Sequence, residues 1–129
     1  MRLLLDTHAF LWAAAEPERL SSTSRNAIAD PDNEIFISAA VSWEITIKHA
    51  LGKLTLPLEP AIYVPARVTS LGFRTLPITL EHTLAVGGLP THHNDPFDRV
   101  MIAQAQVENL TFVTNDAVTG RYSVKVLSA

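Results

Sequence analysis

Hydrophobic residues in this chain fall in short blocks, each closed by a polar, proline or glycine position. Arg2 to Leu5 is an apolar run with no polar gap after Arg2, which predicts a buried strand ending at Asp6. Thr7 to Ala15 predicts a helix capped by Asp6 or Thr7 and stopping near Glu16-Pro17. A second helix starts in Leu20-Ser21-Ser22-Thr23-Ser24 and runs through Ile28 to about Asp30, and Asp30-Pro31-Asp32-Asn33 is a turn. Glu34 to Ser38, with Ile35, Phe36 and Ile37 in a row, suits a strand covered on both faces.

Ala40 to Leu51 predicts a third helix, ended by Gly52, and Lys53 to Pro60 is a connector rich in Leu and Pro. Ala61 to Leu71 predicts a fourth helix, interrupted early by Pro65 and ended by Gly72. Phe73 to Ile78 is a short strand broken by Pro77, and Thr79 to Val86 a fifth helix closed by Gly87-Gly88. Leu89 to Asn94 is a polar loop holding His92 and His93. From about Asp95 to Asn109 the pattern is a helix that begins in acid and continues as core. Asp95 caps it, Pro96 suits its first turn, and Asp98 lies one turn before Ile102 on the buried stripe. Thr111 to Thr114 predicts another strand with Asn115-Asp116 as its exit, and Val124 to Leu127 a last edge strand.

Strands that alternate with helices define an α/β class with a largely parallel sheet. No repeat, low-complexity tract or linker interrupts the pattern, so one domain is expected over residues 1–129. A chain of this length buries about two thirds of its unfolded surface, enough for a self-supporting core.

Composition narrows the chemistry. There is no cysteine, which excludes disulfides, thiolate zinc sites and cysteine nucleophiles. No signal peptide is evident, because Asp6 and His8 interrupt the first apolar run, and no stretch approaches the roughly 20 apolar residues of a membrane span. A soluble, cytoplasmic protein is expected. The net charge of −3 argues weakly against a nucleic-acid binder, but acids gathered at one metal site leave the remaining surface near balance. The five histidines show no HExxH spacing, and His92 and His93, being adjacent, are expected in a solvated loop. No GxGxxG, P-loop or Gly-x-Ser-x-Gly motif occurs.

The acids are the candidates that remain. Asp6 and Asp116 follow strands, at the edge where open parallel sheets bind ligands, although capping explains each of them alone. Glu44 shares a helical stripe with Ala40, Ile47 and Leu51 and is expected to be partly buried; an exposed pair with Lys48 at i+4 is the alternative, worth only ~0.3–0.5 kcal/mol. Asp98 has Arg99 and Arg121 as possible ion-pair partners. In combination the four acids can converge, and converged carboxylates take up protons unless a cation joins them. All-oxygen ligation suits Mg²⁺ or Mn²⁺ rather than zinc, and such ions position and deprotonate water for phosphodiester hydrolysis.

A series of motifs carries a resemblance across nearly the whole chain. They are Leu3-Leu4-Leu5-Asp6-Thr7-His8 with Leu11-Trp12, Ser38-Ala39-Ala40-Val41-Ser42-Trp43-Glu44-Ile45, Lys48 with Leu51-Gly52-Lys53-Leu54, and Leu76-Pro77-Ile78 with Leu89-Pro90. Asp95-Pro96-Phe97-Asp98-Arg99, Ile102-Ala103-Gln104-Ala105 and Phe112-Val113-Thr114-Asn115-Asp116 complete it. In this order and spacing the chain resembles PIN-domain ribonucleases, specifically the VapC-like toxins of type II toxin–antitoxin systems. The resemblance implies a three-layer α/β/α fold and an acidic pocket in which Asp6, Glu44, Asp98 and Asp116 hold one or two Mg²⁺ or Mn²⁺ ions. Thr7 and Thr114 match supporting hydroxyl positions, and Asp95 is either a neighbour of the site or only a cap. It further implies an RNA substrate, a homodimer and a VapB-like antitoxin whose C-terminal segment occupies the groove. Lys48, Lys53 and Arg99 are candidate phosphate contacts, while Trp12, Trp43 and Phe97 are expected to pack in the core.

Two other readings compete. A receiver-type phosphoacceptor domain needs paired acids after the first strand and a Lys after the last, but Thr7 follows Asp6 and Lys125 lies within the final strand. A non-catalytic PIN-like domain that binds RNA or protein would pair Asp98 with arginine.

Overall fold

Leu3, Leu4 and Leu5 are all fully buried. Successive strand residues point to opposite faces, so three buried in a row require cover on both sides of the sheet. The computed structural model describes residues 1–129 and shows how that cover is built. The strands are β1 (Arg2–Leu5), β2 (Glu34–Ser38), β3 (Arg74–Leu76), β4 (Thr111–Thr114) and β5 (Val126–Ser128). The helices are α1 (Thr7–Ala15), α2 (Ser22–Ala29), α3 (Ala39–Ala50), α4 (Pro60–Ser70), α5 (Leu80–Val86) and α6 (Pro96–Val107). The sheet runs in the order β3-β2-β1-β4-β5 and every pairing is parallel.

The chain starts in the middle of the sheet, moves out through β2 to β3, then returns past β1 to β4 and β5. The order therefore reverses at β1, and the β1/β4 boundary is a topological switch point. Phe112 and Val113 of β4 are also fully buried and join Leu3–Leu5, Phe10, Ile45, Met101 and Ile102 in one core. In α6, Val100 to Ala105 are all buried, as the near-continuous apolar run predicts.

Three helices stop in the same way. Gly52 and Gly72 follow α3 and α4 at φ +71°, and Asn109 follows α6 at φ 54°. In each case the next amide reaches back: Lys53 N–H to the Lys48 carbonyl, Phe73 to Val68, and Leu110 to Ala105. This is the left-handed helix stop that glycine favours and asparagine tolerates.

The differences from expectation are local. β3 is shorter than Phe73–Ile78, because Pro77 has no N–H to extend the ladder and its carbonyl accepts from the Gln104 side chain. β5 lies two residues later than Val124–Leu127 begins, since the Val124 amide is engaged by the Tyr122 carbonyl. Pro65 does not interrupt α4, which is continuous. Short 3-10 turns at Pro17–Arg19 and Ala117–Arg121 carry no hydrophobic period and were not expected. No helix is long and apolar enough to cross a membrane.

Candidate active site

The acids meet where the topology reverses. Asp6 follows β1, Glu44 is in the second turn of α3 behind β2, Asp98 is in the first turn of α6, and Asp116 follows β4. All four line one cleft of about 420 Å³, together with Thr7, His8, Trp12, Arg19, Lys48, Asp95 and Asn115. A larger apolar cleft between α3 and α4 holds none of the four acids.

Local chemistry fixes each carboxylate. Asp6 is buried and caps α1, accepting from the Ala9 amide at 2.8 Å. Burial pushes its carboxyl up, eased by the Thr114 hydroxyl, the Ala9 amide and His8, while the Glu44 charge adds to the rise. Glu44 is buried with Ala40, Val41 and Ile45, the inner face of α3. Ile47 and Leu51, expected beside it, are exposed on the outer face. Glu44 also pairs with Lys48: Nζ stands 2.6 Å from Oε2, and the Thr7 hydroxyl donates to Oε1. Glu44 is therefore the buried acid, and the expected exposed pair does not form: the i+4 contact exists, but Lys48 reaches back over the edge of the cleft to a carboxylate that is out of water.

Asp95 is the N-cap of α6 and accepts from the amides of Phe97 and Asp98 at 2.8 and 3.1 Å. Asp98 is half-buried beside it. Burial drives the Asp98 carboxyl up to about 7, the Asp95 charge adds to this, His93 opposes it, and Asp6 and Glu44 contribute further rise. Asp116 caps the 3-10 turn through the Val118 amide. Burial acts to raise its carboxyl, but the hydrogen bonds from Val118 and His93 outweigh it and hold the group below its ordinary range.

Three residues stand elsewhere than expected. His93 is not in solvated loop: its Nε2 lies 2.6 Å from Asp116 Oδ2 and 3.2 Å from Asp98 Oδ2. Arg99 makes no pair with Asp98 and faces away from the cleft. Its guanidinium donates to the carbonyls of Pro90, His93 and Val86 and fastens the loop before α6. Trp43 is largely exposed and meets Phe97 edge-on at 5.1 Å, so it is not a core residue. Arg19 was absent from the expected contacts, yet it lines the cleft with its guanidinium 4.9 Å over the Trp12 ring. Only its place just beyond a helix end next to Trp12 could have pointed to it.

Parallel strands linked by helices, with an acidic cleft at the switch point, define an open α/β fold. The PIN-domain family model matches residues 3–125, and the chain belongs to that family. Among curated proteins it is similar to ribonuclease VapC22 of Mycobacterium tuberculosis, with 31% identity over 88% of this chain and 86% of that protein. It is also similar to ribonuclease VapC16 of the same organism, with 42% identity over 46% of this chain but only 40% of that protein's length. Among solved structures, VapBC2 from Rickettsia felis, bound to a DNA fragment from its promoter, aligns with a TM-score of 0.73. That alignment covers 98% of both chains at 19% identity, a likeness of fold.

Proposed function

We propose that this chain is a metal-dependent endoribonuclease and the toxin of a type II toxin–antitoxin pair. The observation that carries the reading is the convergence of Asp6, Glu44, Asp98 and Asp116 on one cleft, with Asp98 held up near 7 by burial and by its neighbouring acids. Carboxylates gathered at this cost fit a site for a cation. The donor set is oxygen throughout, and no arginine neutralises Asp98, so the residues present fit Mg²⁺ or Mn²⁺. Asp6, Glu44, Asp98 and Asp116 would hold the ion. When bound, it would supply an activated water for attack on a phosphodiester and stabilise the charge that develops there.

The remaining residues orient this set. Thr7 and Lys48 each fix one oxygen of Glu44, and the Ala9 amide and Thr114 hydroxyl fix Asp6. Arg19, stacked on Trp12 at the mouth of the cleft, takes the place of Arg99 as a candidate phosphate contact, beside Lys48. Lys53, just past α3, lies outside the cleft.

The relatives support the activity, and the VapBC structure supports a VapB-like antitoxin as partner. A homodimer is supported by the exposed apolar side chains of Trp43 in α3, Leu51 just after it, and Leu80 and Leu84 in α5. The cytoplasm is the compartment that fits an RNA substrate. The test is cleavage of RNA by the purified protein with Mg²⁺ or Mn²⁺, with EDTA, and by Asp98→Asn. Metal-dependent cleavage that is lost in the variant supports the reading. A protein that neither cleaves RNA nor binds metal returns it to the binding-only class.

A further inference from the structure

We propose that His93 is a positioning residue of the acidic site: it holds Asp116 and Asp98 in the arrangement that receives the ion without ligating the ion itself. The proposal rests on the metal-dependent reading above and adds a residue to it.

Every hydrogen-bonding group of His93 is engaged. Its backbone N–H donates to the Tyr122 hydroxyl at 2.7 Å, and its carbonyl accepts from Arg99 at 3.2 Å. Its Nδ1 accepts from the Asp95 amide at 3.1 Å, and its Nε2 faces Asp116 Oδ2 at 2.6 Å and Asp98 Oδ2 at 3.2 Å. The anchors are themselves held, since the Tyr122 hydroxyl donates to the Pro90 carbonyl at 3.0 Å and the His92 ring meets the Tyr122 ring at 5.1 Å. A loop side chain fastened on all sides is built in, not solvated.

Distance alone would allow a ligand. Nε2 and the oxygens of Asp98 and Asp116 lie within 4.8 Å of one another, close enough to share an ion. The direction of the hydrogen bonds decides against it. A histidine that ligates through Nε2 carries its proton on Nδ1 and gives it to an acceptor. Here the neighbour of Nδ1 is an amide N–H, itself a donor. The ring proton therefore sits on Nε2 and points at the two carboxylates. One donor placed between two acids draws together groups that otherwise repel, and the Val118 amide fixes the other oxygen of Asp116. Lone pairs of both acids remain open to the cleft.

The experiment is Mn²⁺ titration of the wild type, His93→Ala and His93→Gln by calorimetry, with spin-echo spectroscopy of the Mn²⁺-loaded proteins. Loss of an orienting neighbour should weaken Mn²⁺ binding roughly 10- to 100-fold in His93→Ala. His93→Gln, which keeps an N–H donor, should recover most of that loss, and the wild-type echo should show no coordinated imidazole nitrogen. A nitrogen coupling that disappears in His93→Ala would make His93 a ligand and overturn the proposal. Unchanged or tighter binding in His93→Ala would overturn it in favour of a bystander or a competitor for the ion's place. If His93→Ala does not fold, the Gln variant and the wild-type echo still decide. A wild type that binds no Mn²⁺ removes both this proposal and the metal-dependent reading, whereas failure in the variants alone leaves that reading intact.

Discussion

Lys48 Nζ stands 2.6 Å from Oε2 of the buried Glu44, one helical turn earlier on α3. The hydrogen bond to Glu44 favours the charged form of Lys48 and raises its pKa, against burial. The pair joins a buried acid to a cation that is still partly in water, so removing the cation leaves Glu44 with the Thr7 hydroxyl as its remaining partner. Lys48→Ala should lower stability by about 1 kcal/mol, or roughly 3–5 °C in Tm for a chain of this size. The double variant Lys48→Ala/Glu44→Gln should regain most of that loss. Equal, additive losses in thermal melts of the two singles and the double would show that the pair is not coupled.

Asp98 should make the metal-free protein less stable as pH rises. Its carboxyl titrates near 4 in the unfolded chain and at about 7 in the fold. Between these values the native state binds the extra proton, so stability falls with increasing pH and the penalty is complete above about 7. The raised Asp6 acts in the same sense and the lowered Asp116 in the opposite one. Asp98→Asn should therefore stabilise the EDTA-treated protein at pH 8, by something on the order of 2 kcal/mol, and do little at pH 4. Urea denaturation of both proteins across that range measures it. A variant that is less stable than wild type at pH 8 would contradict the charge argument.

Divalent metal should reverse this order. An ion that binds only the assembled site raises Tm, by about 2.7 kcal/mol of stability at a hundredfold excess over its Kd. The gain should grow from pH 6 to pH 8, because metal must displace the proton on Asp98. It should be small in Asp98→Asn, which also loses cleavage by at least 100-fold on the same preparation. Melting curves with and without Mn²⁺ at the two pH values test the whole statement.

Arg19 and Arg99 should separate cleanly, although both are arginines near the acids. Arg19→Ala removes a cation at the mouth of the cleft, so RNA affinity should fall and its salt dependence should flatten by about 0.7 in log–log slope for one phosphate contact. Thermal stability should hardly change, since the Arg19–Glu16 pair is exposed. Arg99→Ala removes the donor to the carbonyls of Pro90 and His93 in the loop and of Val86 at the end of α5, and should lower Tm by several degrees. Binding isotherms at several salt concentrations, beside melts of both variants, distinguish the two.

The fold was legible because its signals are local. Leu3–Leu5 and Ile35–Ile37 read as buried strands, Gly52 and Gly72 as helix stops and the run after Asp98 as core, and each is so in the fold. The acids were legible for a related reason. Asp6, Asp95 and Asp116 stand at element ends and Asp98 shares a stripe with Ile102, so the pattern gave their positions, while capping or an ion pair explained each one alone and only the combination and the family resemblance made them a site. What stayed hidden depends on contacts between distant segments. His93 meets Asp116 across a helix and a strand, and an adjacent pair of histidines in a polar loop carries no period to reveal that. Arg99 looked like a partner for Asp98 because it is next to it in sequence. On a helix, adjacent side chains diverge by about 100°, which sends the guanidinium to the loop instead. Trp43 misled because its size suggests core, while α3 turns it outward beside Phe97.

Asp6 and Asp116 each accept an amide from the first turn that follows them, a capping role separate from the proposed role at the metal site. Asparagine caps about as well as aspartate, but it brings no charge. Under the proposed function, a lineage released from selection for cutting RNA could lose the chemistry by one Asp→Asn step at either position and keep its fold. Position 98, which caps nothing and strains the native state, would be freer still to turn neutral. Silent descendants of this chain should be recognisable by that signature: capping residues retained at 6 and 116, and the charge gone from 98.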